Sequence, residues 1–330
     1  MMSPTIVMDT DSGRVLFENR SHEKRLIASI TKILTAIVVL ENNDINKEVI
    51  VGNEILKMYG TSIYLEVGEK IRIEDLLYGL LLRSGNDSAV ALAVATAGSE
   101  KKFVELMNKK AKEIGMNDSS FSNSHGLDEN TKNYSTAYDM AILSKYATKN
   151  KIYQRIAATK KYILSTGKKT YLWYNRNKLL NSYEFCTGGK NGYTPSAGKT
   201  LVTTATKNNL NLTIVTLNDG DEYTTHKNLY ENNFSKYEKY LIVDKKNFHI
   251  DEDYIDGEVY LKDSFYYPLT KNEIDKISTL VSINKNKKSN VAGKISVYLD
   301  KKEIGKVAIY KKTQKKKENF FQKFKKLFIR

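Results

Sequence analysis

Residues 5–18 read as two short apolar runs, TIVMD and RVLFE, on either side of Asp11-Ser12-Gly13. That is the pattern of a β-hairpin closed by a polar turn. From Ser29 the run SITKILTAIVVLE sets a serine immediately before a strongly apolar stretch, which predicts a helix start and a central, buried helix. Ile73 to Leu82 and Ala89 to Ala97 predict two further apolar helices. The polar break Arg83-Ser84-Gly85-Asn86-Asp87 between them is short enough to enter a cleft. Glu100 to Ile114 and Ser135 to Thr148 carry helical amphipathic periodicity, and residues 199–217 form two β-rich runs around Lys207 to Asn209.

This order of strands, helices and strands predicts an α+β domain whose sheet takes its first and last strands from distant parts of the chain. After Tyr240 the pattern changes to short β-like runs, Gly257 to Lys262, Lys294 to Leu299 and Ile304 to Tyr310. They predict a second, β-rich domain over 245–311, behind a first domain over 1–244. In the tail 312–330, Phe320, Phe321, Phe324, Leu327 and Phe328 share one helical face with lysines on the other, the pattern of a basic amphipathic helix. Such a helix is expected to associate with a membrane surface through 318–330, where anionic lipid attracts each basic residue.

Composition narrows the function classes. A chain of 330 residues with 41% hydrophobic and 28% charged positions has the make-up of a folded protein of two domains. The formal net charge is +15, of which the segment from Lys311 to Arg330 supplies +8. The rest is spread thinly, with no basic stripe interleaved with aromatics, so nucleic acid is not an expected partner. Cys186 is the single cysteine and histidine occurs only at 22, 125, 226 and 249. An internal disulfide is excluded, and no Cys/His cluster has metal-ligand spacing. No apolar run approaches the roughly 20 residues of a transmembrane helix. The opening MMSPTIVMDT lacks a signal-peptide pattern, so the residues alone read as a cytoplasmic or already processed chain.

Three short motifs carry chemistry. Ser29-Ile30-Thr31-Lys32 is one of six S-x-x-K patterns, the others starting at Ser21, Ser99, Ser165, Ser196 and Ser282. It alone lies at the start of an apolar helix, where i, i+3 spacing puts serine and lysine on one face. Burial and the positive helix end both disfavour an ammonium, so Lys32 is expected to be neutral near pH 7 and to take the Ser29 proton. Ser84-Gly85-Asn86 is one of two S-x-N triplets, the other being in the lysine-rich stretch at Ser282. Lys190-Asn191-Gly192 is the only K-x-G among eighteen glycines, just before the β-rich run starting near Lys199. It suits an edge beside a cleft.

These motifs, with the segments IASITKILTA, LLLRSGNDSAVALA, NSHGLDENTKNYSTAYDMA, NRNKLL and CTGGKNGYTPSAGKTLVTTAT, resemble the serine-type D-alanyl-D-alanine carboxypeptidases over roughly residues 5–310. These are low-molecular-weight penicillin-binding proteins. The resemblance implies a β-lactamase/transpeptidase-like domain, an antiparallel sheet with an inserted helical cluster, followed by the small β-rich domain and the amphipathic tail. It implies catalytic Ser29, Lys32 and Ser84, substrate binding by Asn86, Lys190, Asn191 and Gly192, and an oxyanion hole from the backbone N–H groups of Ser29 and Tyr193. Neither metal nor cofactor is implied. The implied substrate is a peptidoglycan stem peptide and the implied inhibitors are β-lactams, at the outer face of the cytoplasmic membrane. Asn191 departs from the family's usual Thr or Ser, and His125 falls in a stretch that is structural in related proteins. Glu105-Leu106-Met107-Asn108 is one residue short of the deacylating element of class A β-lactamases, so β-lactamase turnover is the less favoured reading. A non-catalytic wall-binding protein is the other alternative.

Overall fold

The hairpin predicted at the start is present: Thr5–Asp9 pairs antiparallel with Val15–Asn19. All five residues of Thr5–Asp9 are buried, because the strand also pairs on its other side with Leu210–Leu217, which brings Thr5 opposite Thr216. The computed structural model describes residues 3–250, 257–284 and 289–312. The main sheet has five antiparallel strands in the order Val15–Asn19, Thr5–Asp9, Leu210–Leu217, Gly198–Lys207, Cys186–Thr194. Successive side chains of Ile6, Val7 and Met8 point to opposite faces. Ile6 and Met8 join the larger core with Val202, Val215 and Leu217, whereas Val7 packs with Leu212, Ile214 and Tyr230.

The helices between the first and last strands fill the larger core. Lys32–Asn42 buries Ile33, Leu34, Ala36, Ile37, Val38 and Val39, apolar positions around the whole cylinder, so it runs through the interior. The predicted helix from Ile73 is α-helical only over Ile73–Tyr78, continues as a π-helical turn over Gly79–Arg83, and ends at Ser84 with φ of 65°. The next helix is Asn86–Ala97, beginning three residues before the predicted Ala89, so Asn86 and Asp87 stand in its first turn. The buried Asp87 carboxylate accepts hydrogen bonds from the Ile63 and Leu65 N–H groups, each at 3.0 Å, and from Ser62 Oγ at 2.5 Å. It thereby pins the loop before the helix to the helix start. Glu100–Glu113 and Ala137–Ala147 fall where the periodicity puts them. The helices Lys151–Ala158 and Glu222–Lys236 and the hairpin Lys161–Ser165 with Thr170–Tyr174 were not expected.

The Lys190-Asn191-Gly192 motif lies at the edge of the main sheet, inside a strand of its own, Cys186–Thr194, that precedes the β-rich run from Lys199. Its three glycines hide the β pattern, because they supply no side chain to alternate.

The chain divides into two compact units between Glu238 and Lys239. In the second, Glu238–Val243 pairs with Phe265–Leu269, and a four-stranded sheet runs in the order Val259–Leu261, Lys302–Lys311, Val291–Leu299, Ile277–Ile283. Its core is Val243, Leu261, Ala292, Ile295, Val297, Val307 and Ile309. The amphipathic pattern at 318–330 lies outside the described residues. No helix among the described residues is long and apolar enough to cross a membrane.

Candidate active site

Ser29 sits in the 3₁₀ turn Ala28–Thr31, which leads directly into the Lys32–Asn42 helix. In such a turn residues i and i+3 eclipse, and Ser29 Oγ stands 3.0 Å from Lys32 Nζ. The turn is held from two sides. Thr200 Oγ1 donates to the Ile27 carbonyl at 3.0 Å. On the other side, Gly126 lies so close that a Cβ there would fall 2.1 Å from the Ala28 carbonyl oxygen. Ala28, next to the serine, is buried in the left-handed region at φ of 49°, as is Ser84 at 65°. Conformations of this kind cost about 1–2 kcal/mol for a residue with a Cβ and gather at functional sites.

Lys32 is fully buried. Its Nζ contacts Ser29 Oγ at 3.0 Å, Asn86 Oδ1 at 2.8 Å and the His125 carbonyl at 2.6 Å. Burial drives its pKa well below the usual 10.5, helped by the Lys190 and Arg176 cations and opposed by Asp87. In its neutral form, which burial favours, the amine has two hydrogens and one lone pair. The orientation of the Asn86 amide is fixed because its Nδ2 donates to the Tyr59 carbonyl at 2.8 Å, so oxygen faces Lys32. The two amine hydrogens therefore go to Asn86 Oδ1 and the His125 carbonyl, which only accept. The lone pair is left for the Ser29 O–H, the arrangement of a nucleophile with its base.

A cleft of about 660 Å³ is lined by Ser29, Ser84, Arg176, Asn191, Gly192 and Tyr193 among others, whereas Lys32, Asn86 and Lys190 are buried and do not line it. Ser84 is 4% exposed, and among the described residues its hydroxyl has no hydrogen-bond partner. Lys190 is buried, and burial together with the Arg176 charge brings its pKa down to about 7. Its Nζ donates to the Asn191 carbonyl at 2.7 Å, with Asn191 Oδ1 at 3.4 Å. Gly192 brings the edge strand against the Ser29 turn: a Cβ there would lie 2.7 Å from Ser29 N and 2.6 Å from Thr200 Oγ1. Gly192→Ala is therefore expected to push strand and turn apart and to slow acylation of Ser29 by about 10²-fold, the size of one lost oxyanion donor. Stopped-flow acylation checks this, with thermal unfolding as the control for folding.

Sequence reasoning missed three contributors. Arg176, in the quoted NRNKLL segment, adds positive charge at the cleft. Asp87 anchors the loop whose Tyr59 carbonyl orients Asn86. His125 holds Lys32 through its backbone carbonyl, while its ring accepts from the Leu127 N–H at 3.1 Å and burial depresses its pKa to about 3. That ring stays neutral at ordinary pH. Among the described residues no group of three or more His, Cys, Asp or Glu side chains is placed to hold a metal ion.

An antiparallel sheet with helices inserted between its strands, and a serine–lysine pair where sheet edge and helix meet, define the β-lactamase/transpeptidase fold. The chain belongs to the D-alanyl-D-alanine carboxypeptidase family, whose model matches residues 3–221. It is 37% identical over 211 residues to D-alanyl-D-alanine carboxypeptidase DacF of Bacillus subtilis (strain 168), covering 62% of this chain and 54% of that protein. With DacC of Escherichia coli (strain K12) it shares 37% identity over 226 residues, covering 64% and 55%. The chain thus matches about half the length of these curated relatives. Among solved structures, penicillin binding protein 5 from Haemophilus influenzae superposes with a TM-score of 0.78 at 25% identity, covering 94% of this chain and 96% of that one. The Streptomyces K15 DD-transpeptidase gives 0.67 at 27% identity, covering 71% and 98%.

Proposed function

We propose that this chain removes the terminal D-alanine from peptidoglycan stem peptides ending in D-Ala-D-Ala, through an ester on Ser29. The observation that carries this reading is the buried Lys32, its pKa driven well below 10.5, with Nζ 3.0 Å from the Ser29 hydroxyl. The Ser29 proton moves to Lys32 Nζ as Oγ bonds the carbonyl carbon of the penultimate D-Ala. The backbone N–H groups of Ser29 and Tyr193 take the developing oxyanion. The C–N bond breaks as the leaving amine collects a proton relayed through Ser84, and terminal D-alanine departs. Water then hydrolyses the ester.

Asn86 steadies Lys32 and, by exchanging its Tyr59 contact, reaches the substrate backbone. Lys190 supplies positive charge for the terminal carboxylate. With Oδ1 turned toward Lys190, Asn191 keeps its Nδ2 as a donor where the family's hydroxyl would stand, beside Gly192. A β-lactam acylates Ser29 in the same way, but its leaving group stays tethered and the ester persists. The basic amphipathic pattern at 318–330 supports attachment to the outer face of the cytoplasmic membrane.

Release of D-alanine from a synthetic peptide ending in D-Ala-D-Ala, with benzylpenicillin bound for minutes or longer, is the expected pair of results. Rapid benzylpenicillin turnover would instead make the protein a β-lactamase, and no release at all a wall-binding protein. The pH profile of kcat/KM, which reports the free enzyme, is expected to be bell-shaped. As pH falls, Lys32 gains a proton and the base is lost. As pH rises through about 7, Lys190 loses its charge and carboxylate binding weakens. Lys190→Arg stays charged and should move the alkaline limb upward; an unmoved limb rules out that assignment.

A further inference from the structure

A strand at the end of a sheet presents unpaired N–H and C=O groups, and proteins blunt such edges with charge, proline or shortness. Most edges here follow that rule. Val259–Leu261 has three residues, Phe265–Leu269 carries Pro268, and Val15–Asn19 carries the exposed Glu18. The strand Ile277–Ile283 does not. Its seven residues, ISTLVSI, contain no charge, glycine or proline. It is outermost in its four-stranded sheet, with Leu280 56% and Val281 46% exposed.

The flanking hydrogen bonds show which backbone groups face outward. The Asn284 N–H donates to the Ala292 carbonyl at 2.7 Å, and the Asp300 N–H to the Lys276 carbonyl at 3.3 Å. The register between them is unbroken, so even-numbered residues bond to Val291–Leu299, as hydrogen-bonded pairs alternate along an antiparallel ladder. The N–H and C=O groups of Thr279, Val281 and Ile283 and the Ile277 carbonyl point to the open side, and none of these is paired among the described residues, whereas the Ile277 N–H donates to the Ile274 carbonyl.

The strand is also nearly a palindrome. About Leu280, Thr279 mirrors the isosteric Val281, Ser278 mirrors Ser282, and Ile277 mirrors Ile283. We infer that this edge is a self-recognition surface, on which a second copy of the chain adds its Ile277–Ile283 strand antiparallel about a two-fold axis at Leu280. Thr279 then faces Val281 of the second copy, and Ile277 faces Ile283. Every residue with outward groups meets another of the same kind, so the N–H and C=O groups of Thr279 and Val281 are all satisfied and the Ile283 N–H meets the Ile277 carbonyl, and two four-stranded sheets become one. An unrelated partner strand would have no use for mirror symmetry, whereas a closed dimer needs a self-complementary patch. Sliding the axis to Thr279 or Val281 keeps the hydrogen bonds but loses the matched side chains.

Cysteine placement in the full chain tests this, in a Cys186→Ala background that removes the native thiol. At the axis Leu280 faces its own copy in a non-hydrogen-bonded pair, with Cα atoms about 4.5 Å apart, within disulfide reach. Ser278 lies four residues, or about 13 Å, from its own copy. Mild oxidation is expected to convert Leu280→Cys to a covalent dimer and to leave Ser278→Cys monomeric. In sedimentation velocity the unmodified chain should shift from monomer to dimer as concentration rises, and Leu280→Lys, which sets two like charges against each other, should remain monomeric. A chain that stays monomeric across the range, cross-linking as efficient at 278 as at 280, or open-ended growth beyond a dimer would each overturn the inference.

Discussion

Ser29→Ala is expected to abolish both proposed reactions, with no covalent benzylpenicillin mass on the intact chain and D-alanine release lowered by about 10⁴-fold or more. The substitution removes one oxygen whose only side-chain contact is Lys32 at 3.0 Å. The turn itself is held by Thr200 on Ile27 and by the close approach of Gly126 to Ala28, neither of which involves the Ser29 side chain. The variant should therefore unfold at the same temperature as the parent and still bind peptide reversibly through Lys190 and its neighbours. Intact-mass measurement after penicillin treatment decides the matter: an adduct on Ser29→Ala would place the nucleophile elsewhere.

Lys32→Met is expected to slow acylation by about 10²–10⁴-fold, the usual contribution of a positioned base. Methionine keeps the length and burial of the side chain but offers no lone pair to Ser29. Acylation followed by stopped flow with a chromogenic β-lactam measures this directly. The same variant should alter how stability depends on pH. An unfolded lysine holds its proton up to about pH 10.5, whereas the native Lys32 amine does not. The unfolded chain therefore binds an extra proton below that pH, and native stability rises as pH climbs toward it. Lys32→Met removes this share of the slope, while Lys190, also depressed from 10.5, keeps its own. Denaturant unfolding at several pH values should show a shallower rise in the variant. An unchanged slope would mean that Lys32 is charged in the native state.

The hairpin, the interior helix after Ser29 and the two late strands were legible because their side-chain periods agree with their final burial. The Glu222–Lys236 helix was not, since only Glu222, His226, Tyr230 and Asn233 of its residues are buried, a mostly polar seam without an apolar stripe. The edge strand through Lys190 was hidden by its glycines. Within the site, the serine, the lysines and the Ser84-Gly85-Asn86 triplet could be selected by motif order and setting. The Lys32 contact with a backbone carbonyl at His125 could not, because any residue type supplies that oxygen. Arg176 reaches the cleft through a tertiary fold that local patterns do not encode.

The pairing of Thr5–Asp9 with Leu210–Leu217 also sets when the proposed site can form. The base is near its serine in the chain, but the strand that meets Ser29 N, through Gly192, lies more than half the catalytic unit away. Loop closure on that scale is slow compared with helix formation. A chain interrupted before residue 186 has both Ser29 and Lys32 and still lacks the edge that would complete the proposed oxyanion site. The proposed reactivity toward an acyl donor is therefore expected late in folding, as a property of the closed sheet and not of the motif that bears Ser29.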